Sequence, residues 1–411
     1  LLTFLLLALE RAIQMGVGLL VVAAVARAFP LEEFATWQIA FSMWIVAAAA
    51  TNLTGDGVAM PRLFAATATG QTQPMIRTLL AAKLVCGIAG AVLLVGWAAL
   101  LGRSELVLLA TVWSAHLLLV EPGSMAMTES YAADRFAWPQ VARLLGLAVR
   151  CAVVTAAYLL QGPLWWYALG WGLEAAVFSL VLCRGWGAHR WRFRGPLIDG
   201  ELRSILYRGA ALAVAPAVMA AVSRTDRLVF SASIPVEELA RYAGALTMVE
   251  ALFGFAGILA TVAGAKLLYR PEPIAAADHR RTLVQAALLG AVAGGLLWWL
   301  ADPLVPMLLG ERFSGSIVHL QHACGLLPLV FVQAMAQAPL LARSNNAFHV
   351  GKALTALAVG IGVVAIVVDR GAYAWLSAGA YAGFACMLAA DLLVLWIRRH
   401  DIYVGASRSP L

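Results

Sequence analysis

A chain of 411 residues in which 62% are hydrophobic and only 12% charged, with a mean hydropathy of +0.84, is too apolar to be a soluble globular protein of this size. It reads as a polytopic membrane protein, so its formal charge of +7 raises the question of which side of a bilayer the basic residues occupy, rather than pointing to nucleic acid. The five cysteines, Cys86, Cys151, Cys183, Cys324 and Cys386, fall in apolar runs without CxxC spacing; they are expected to pack as small hydrophobes, and no metal site, redox chemistry or cofactor follows from them.

Apolar runs of the ~20 residues that a bilayer requires fall at roughly 1–26, 34–60, 79–101, 105–128, 140–160 and 164–183, then at 209–232, 240–267, 282–301, 316–341, 353–368 and 372–397. The predicted fold is all-α with about twelve transmembrane helices. The first run is too long for the h-region of a cleavable signal. Every intervening loop is short, which leaves no room for an inserted catalytic domain. No nucleophile elbow, phosphate loop, zinc motif or paired acid site is visible, so nothing points to an enzyme.

In chain order, the first helix carries Glu10 and Arg11 among Leu and Ala, with Gly16 and Gly18 beyond. Asp56 and Arg62 sit at a cytoplasmic helix end, where they either admit a charged headgroup or form a Gly-rich turn. Arg150 lies within the fifth helix. Trp165, Trp166, Trp298, Trp299 and Trp375 lie near predicted periplasmic helix ends, as an aromatic belt. The basic stretch 184–208 reads as a connector on the positive side of the membrane, attracted to anionic headgroups. The seventh helix has Pro216 and then Arg224, Asp226 and Arg227. Charges at membrane depth cost roughly 2.5–3.5 kcal/mol each on insertion scales, so they pair or face a polar cavity.

Arg224 and Arg227 share a helical face and are candidates to hold an anion by their planar forks; the alternative is that they snorkel to the periplasmic interface. Arg11 and Arg150 are candidates of the same kind, with a buried carboxylate pair as the alternative. Glu10, Asp226, Glu250 and Asp391, with Glu121, Glu129 and Glu174, are the acids that neutralise the arginines or couple to a proton or ion. In the tenth helix His319 and His322 share a face, read as interfacial packing, and Gln333 and Gln337 either line a cleft or bond between helices.

PVEELARYAGALTM from Pro235 repeats the form of PLEEFATWQIAFSM from Pro30, with Pro, both Glu, two Ala and Met in place at an offset of 205, half the chain. The chain therefore reads as a duplication: residues 1–200 and 201–411, two pseudo-symmetric six-helix bundles, as parallel repeats enclosing a cleft. Loops on one side carry 20 basic residues against 5 on the other. By the positive-inside rule the richer side, with both termini, is cytoplasmic.

Four features carry a resemblance to the multidrug/oligosaccharidyl-lipid/polysaccharide (MOP) exporter superfamily, specifically its Wzx-type polysaccharide and O-antigen repeat-unit flippases. They are Arg224-Thr-Asp226-Arg227-Leu-Val followed by Pro235 to Tyr242, the turn LLGERFSGS at Leu308 to Ser316, the segment Arg27 to Trp37, and the two-times-six layout. The resemblance implies a MATE-like, V-shaped transporter in the bacterial inner membrane. Its substrate would be an undecaprenyl-pyrophosphate-linked glycan, moved from the cytoplasmic to the periplasmic leaflet by alternating access and handed to polysaccharide polymerase machinery. Arg11, Arg224 and Arg227 would be its lumen cations, with Arg62 and Arg150 as further contacts. A multidrug or cation antiporter of the same fold is the alternative, for which a carboxylate-lined lumen would be expected. A membrane glycosyltransferase or polymerase would need larger loops.

Overall fold

The computed structural model of the protein describes residues 2–52, 56–133, 135, 137–184, 197–198, 200–268, 276–341 and 346–397, and their regular secondary structure is helical throughout. In the first half the α-helices are α1 (Leu2–Ala28), α2 (Leu31–Thr51), α3 (Asp56–Ala68), α4 (Thr72–Leu100), α5 (Ser104–Ala132), α6 (Ala137–Leu159) and α7 (Leu164–Arg184). In the second they are α8 (Glu201–Val222), α9 (Thr225–Val229), α10 (Val236–Leu268), α11 (Ala276–Trp299), α12 (Ala301–Leu309), α13 (Ser316–Ala323), α14 (Leu326–Leu341), α15 (Asn346–Asp369) and α16 (Ala378–Ile397). Among the described residues ten helical spans are long and apolar enough to cross a membrane. α1 and α10, at 27 and 33 residues, have the length as well. Each of the twelve apolar runs therefore has its helix, and the protein is a multi-pass membrane protein.

By packing, the chain divides into two compact units: Leu1–Glu10 with Ala28–Ala220, and Arg11–Arg27 with Ala221–Leu411. The same pairs of helices meet in each. In the first unit α5 is the centre, packing on α2, α4 and α7, with α6 on α7. In the second α14 takes that place, packing on α10, α11 and α16, with α15 on α16. The two echoing segments open the corresponding helices: α2 starts directly after Pro30 and α10 directly after Pro235. Proline is suited to that place because it lacks the N–H that a first helical turn leaves unpaired.

The helices depart from the apolar runs in three places, each for a local reason. The run 34–60 holds two helices, because α2 stops at Thr51 and α3 begins at Asp56, across a segment rich in Asn, Thr and Gly. The run 316–341 also breaks, between α13 and α14. There the Tyr381 hydroxyl donates to the His322 carbonyl at 2.7 Å, and a Cβ on Gly325 would stand 2.4 Å from that hydroxyl, so a larger residue there would have to push Tyr381 off this bond. The third departure, in the run 209–232, falls on the arginines of the seventh span and is described below.

Close packing within the units relies on small residues. On α11, Gly290 and Gly294 lie one turn apart, and a Cβ at either would meet backbone, 2.6 Å from Pro328 Cα and 2.7 Å from the Cys324 carbonyl. This small-xxx-small spacing lets helix backbones touch inside a bilayer, where dispersion and fit replace the hydrophobic effect. The first unit instead has an aromatic core: Trp37, Trp113 and Trp171 interlock, with Trp37 and Trp113 centroids 4.7 Å apart, and Phe41 and Trp44 pack beside them. Outward-facing apolar side chains such as Leu100, Leu159 and Leu180 are the lipid-facing surface expected of such a protein. All five cysteines are free, and Cys86, Cys183 and Cys324 are buried.

Candidate functional site

The seventh span does not run through its charges as one helix. α8 ends at Val222, and Arg224, at φ −131° and ψ 12°, precedes the five-residue α9. The sequence Ser223-Arg-Thr-Asp accounts for this, since its short polar side chains compete for the backbone. The Thr225 hydroxyl donates to the Ala221 carbonyl at 3.0 Å, the Arg224 N–H turns back to Ala221 in a tighter i−3 bond, and the Ser223 carbonyl accepts from Arg227 Nη2 at 3.1 Å. The expectation that Arg224, Asp226 and Arg227 sit inside one continuous helix is thus corrected: Arg224 lies at a break, Asp226 and Arg227 lie in the short α9 that follows it, and all three side chains are buried.

These side chains form a closed cluster within the second unit. Arg227 is fully buried, and Asp226 and Arg224 are buried beside it. Glu250 of α10 reaches into the break and bridges the two guanidinium groups, with Oε2 accepting from Arg224 Nη2 at 2.8 Å and Oε1 from Arg227 Nη2. Asp226 Oδ1 stands 3.8 Å from Arg227 Nε, and the buried Tyr242 hydroxyl bonds the same carboxylate. Arg224 Nη1 donates to Ser223 Oγ at 2.7 Å. Two arginines against two carboxylates leave the cluster formally neutral, which is what makes it tolerable at membrane depth.

The other candidates are also paired, within their own units. Glu10 accepts from Arg143 Nη1 at 3.1 Å. Arg150 is buried, 3.1 Å from Glu174, with its guanidinium 4.8 Å over the Trp171 ring. Arg62 Nε meets Glu201 at 3.3 Å, and its Nη2 lies 3.5 Å from Ser204 Oγ. Asp391 takes both of its bonds from Lys352 Nζ, at 2.7 and 2.9 Å, and a longer one of 3.4 Å from Gln333, which also donates to Gln337 at 2.8 Å. The two glutamines therefore bond within α14 and across to α16. His319 faces Glu238 at 3.3 Å, and His322 stacks on Trp375. The Arg11 and Asp56 side chains lie outside the described residues.

Sequence reasoning missed two buried cations, Lys83 and Lys352, and the partly exposed Arg143, by counting them with the cytoplasmic loops. Lys83 lies within α4, 3.7 Å from Glu121; Arg143 lies in α6; and Lys352 lies in α15, with almost no exposed surface. The acids were the available signal. Each of Glu10, Glu121 and Asp391 at membrane depth implied a cation on a neighbouring helix. Among the described residues no group of three or more His, Cys, Asp or Glu is arranged to hold a metal ion.

No protein-family model matches the chain, and no curated protein sequence matches it. Solved structures do match, over nearly the whole length. The fold is similar to an inward-facing MATE-family multidrug resistance transporter of the MOP superfamily, at 14% identity and a TM-score of 0.68, covering 96% of each chain. It is similar to the lipid II flippase MurJ in an inward closed conformation, at 11% identity and a TM-score of 0.71, covering 97% of this chain and 87% of MurJ. A MOP-superfamily transporter from Pyrococcus furiosus, for which a reversed polarity of the binding pocket suggests a different function, matches at 15% identity and a TM-score of 0.62, covering 97% of this chain and 95% of its own. The chain therefore has the fold of the MOP transporters.

Proposed function

We propose that this protein is a flippase that moves undecaprenyl-pyrophosphate-linked oligosaccharide repeat units from the cytoplasmic to the periplasmic leaflet of the bacterial inner membrane, for O-antigen or exopolysaccharide assembly. The observation that carries this reading is the placement of Arg224 and Arg227 with both guanidinium groups on one bridging carboxylate. Two forks converging on one anion are the donor set that a phosphate or pyrophosphate oxygen pair takes, and arginine is the residue suited to it. A fold shared with a lipid II flippase supports the same class of cargo. Arg62, Arg150 and Arg11 remain proposed contacts to the headgroup and sugars, and the both-termini-cytoplasmic topology is proposed from the charge of the loops. Membrane lipids surround the substrate's polyprenyl tail, and polymerase machinery would receive the product.

A second reading, an antiporter for organic cations, has one observation in its favour: the cations Arg62, Lys83, Arg143, Arg150, Arg224, Arg227 and Lys352 are each met by a carboxylate. Native mass spectrometry separates the two. The purified protein and its Arg224→Ala/Arg227→Ala variant are each offered undecaprenyl-pyrophosphate glycan and a lipophilic cationic drug. The flippase reading expects the glycolipid to be retained by the wild type and lost from the variant. Retention of the drug alone would move the protein to the antiporter reading.

A further inference from the structure

The bridging acid has a property that a plain structural counter-ion would not need. Glu250 contributes two oxygens, and each is engaged by one Nη2 atom. Arg224 Nε, Arg227 Nε and Arg227 Nη1 are buried and find no hydrogen-bond acceptor among the described residues, and Asp226 Oδ2 is likewise left over. A buried donor without an acceptor carries a desolvation penalty that nothing offsets. The cluster thus presents more donors than Glu250 satisfies. A pyrophosphate diester, with four non-bridging oxygens that share two negative charges across two linked phosphorus atoms, would reach the donors that Glu250 leaves empty.

We propose that Glu250 is a tethered stand-in for the substrate's pyrophosphate: it holds Arg224 and Arg227 together while the site is empty, and an arriving pyrophosphate displaces it. This rests on the flippase reading and adds to it a competitor built into the site. Competition makes the site selective. A simple carboxylate or sulfonate gains nothing over the acid already in place, whereas a pyrophosphate gains the unused donors as well as the two Nη2 bonds. Exchange begins at Arg224, which retains 8% exposure while Arg227 has none. The Glu250 side chain sits at the end of a flexible arm on α10, so it withdraws without unfolding the break.

Because an internal competitor lowers apparent affinity by the fraction of time that it occupies the site, removing its charge should tighten binding. The experiment titrates a water-soluble short-chain polyprenyl pyrophosphate against the detergent-purified full chain. Four variants are compared with the wild type: Glu250→Gln, Glu250→Asp, Arg224→Ala/Arg227→Ala, and Glu237→Gln, which alters an exposed acid at the start of α10. Glu250→Gln should bind about tenfold more tightly or better. Glu250→Asp, with an arm too short to bridge both arginines, should bind more tightly by a smaller factor, and Glu237→Gln should match the wild type. If Glu250→Gln does not yield a monodisperse protein, Glu250→Asp decides: unchanged or weaker affinity overturns the exchange. Binding by the wild type that is lost in the double arginine variant, with no gain in either Glu250 variant, overturns the exchange and leaves the flippase reading standing. No binding by the wild type or any variant overturns the flippase reading itself.

Discussion

Lys352 and Asp391 show what a single buried charge demands at membrane depth. Their side chains are 1% and 0% exposed, and the ammonium sits astride both carboxylate oxygens. Such a pair contributes little net stability, because desolvation consumes most of its attraction, yet removing one partner strands the other. Lys352→Met is therefore expected to destabilise the protein by about 3–5 kcal/mol, and the Lys352→Met/Asp391→Leu double variant by much less. Thermal unfolding of the purified variants in detergent checks this; equal losses for the single and double variants would mean that the pair is not what matters there. Arg150 differs in kind, because its guanidinium lies over Trp171 as well as beside Glu174, so lysine would replace its charge without its stacking.

At the scale of helices, the close approach of α11 and α14 is set by Gly290 and Gly294. A side chain at Gly294 would be driven into the Cys324 carbonyl, which belongs to backbone and cannot step aside. Gly294→Leu should cost about 1–3 kcal/mol by overpacking, seen as a lower melting temperature and reduced yield of folded protein. An unchanged melting temperature would show that the two helices separate at little cost. Much of this architecture was legible in the sequence, because a run of about 20 apolar residues has few other fates. The helix ends were less legible. Hydropathy marks the part of a helix that lies in hydrocarbon, whereas α4, α11 and α15 begin a turn or two earlier, over more polar residues. That offset is why Lys352 read as a loop residue although it is buried within α15.

The break at Arg224 was illegible for a different reason. Its cause lies in side-chain to backbone bonds of Ser223, Thr225 and Arg227, which leave the hydropathy profile continuous. The residue types were readable, since arginines in an apolar run call for partners, but Glu250 as the bridge follows only from the packing of α10 against the break. The tie between the end of α1 and α12 was likewise unseen in the sequence. Arg27 Nε donates to the Leu308 carbonyl near the C-terminus of α12 at 3.2 Å, and Arg312, in the turn after α12, donates to the Ala26 carbonyl near the C-terminus of α1.

For the whole molecule, the recurrence of the same helix pairs in both units is the organising fact. Each unit is built from the same helix pairs, and in each the same Pro-x-Glu-Glu segment opens the corresponding helix, α2 or α10, as parallel repeats would. Charge breaks the symmetry between them. The second unit holds two arginines on one carboxylate, whereas Arg143, Arg150 and Lys83 in the first each have a carboxylate of their own. On the proposed flippase reading, the converging donors of the second unit would hold the headgroup. Any shift between access states would then follow from the different affinities of those states for that headgroup. The most direct test is translocation in proteoliposomes loaded with undecaprenyl-pyrophosphate glycan, read by the fraction of glycan exposed to a membrane-impermeant sugar-modifying enzyme. The wild type should expose glycan from the inner leaflet, and Arg224→Ala/Arg227→Ala, inserted to the same level, should not; equal exposure by both proteins would contradict the anion-holding role on which this account rests.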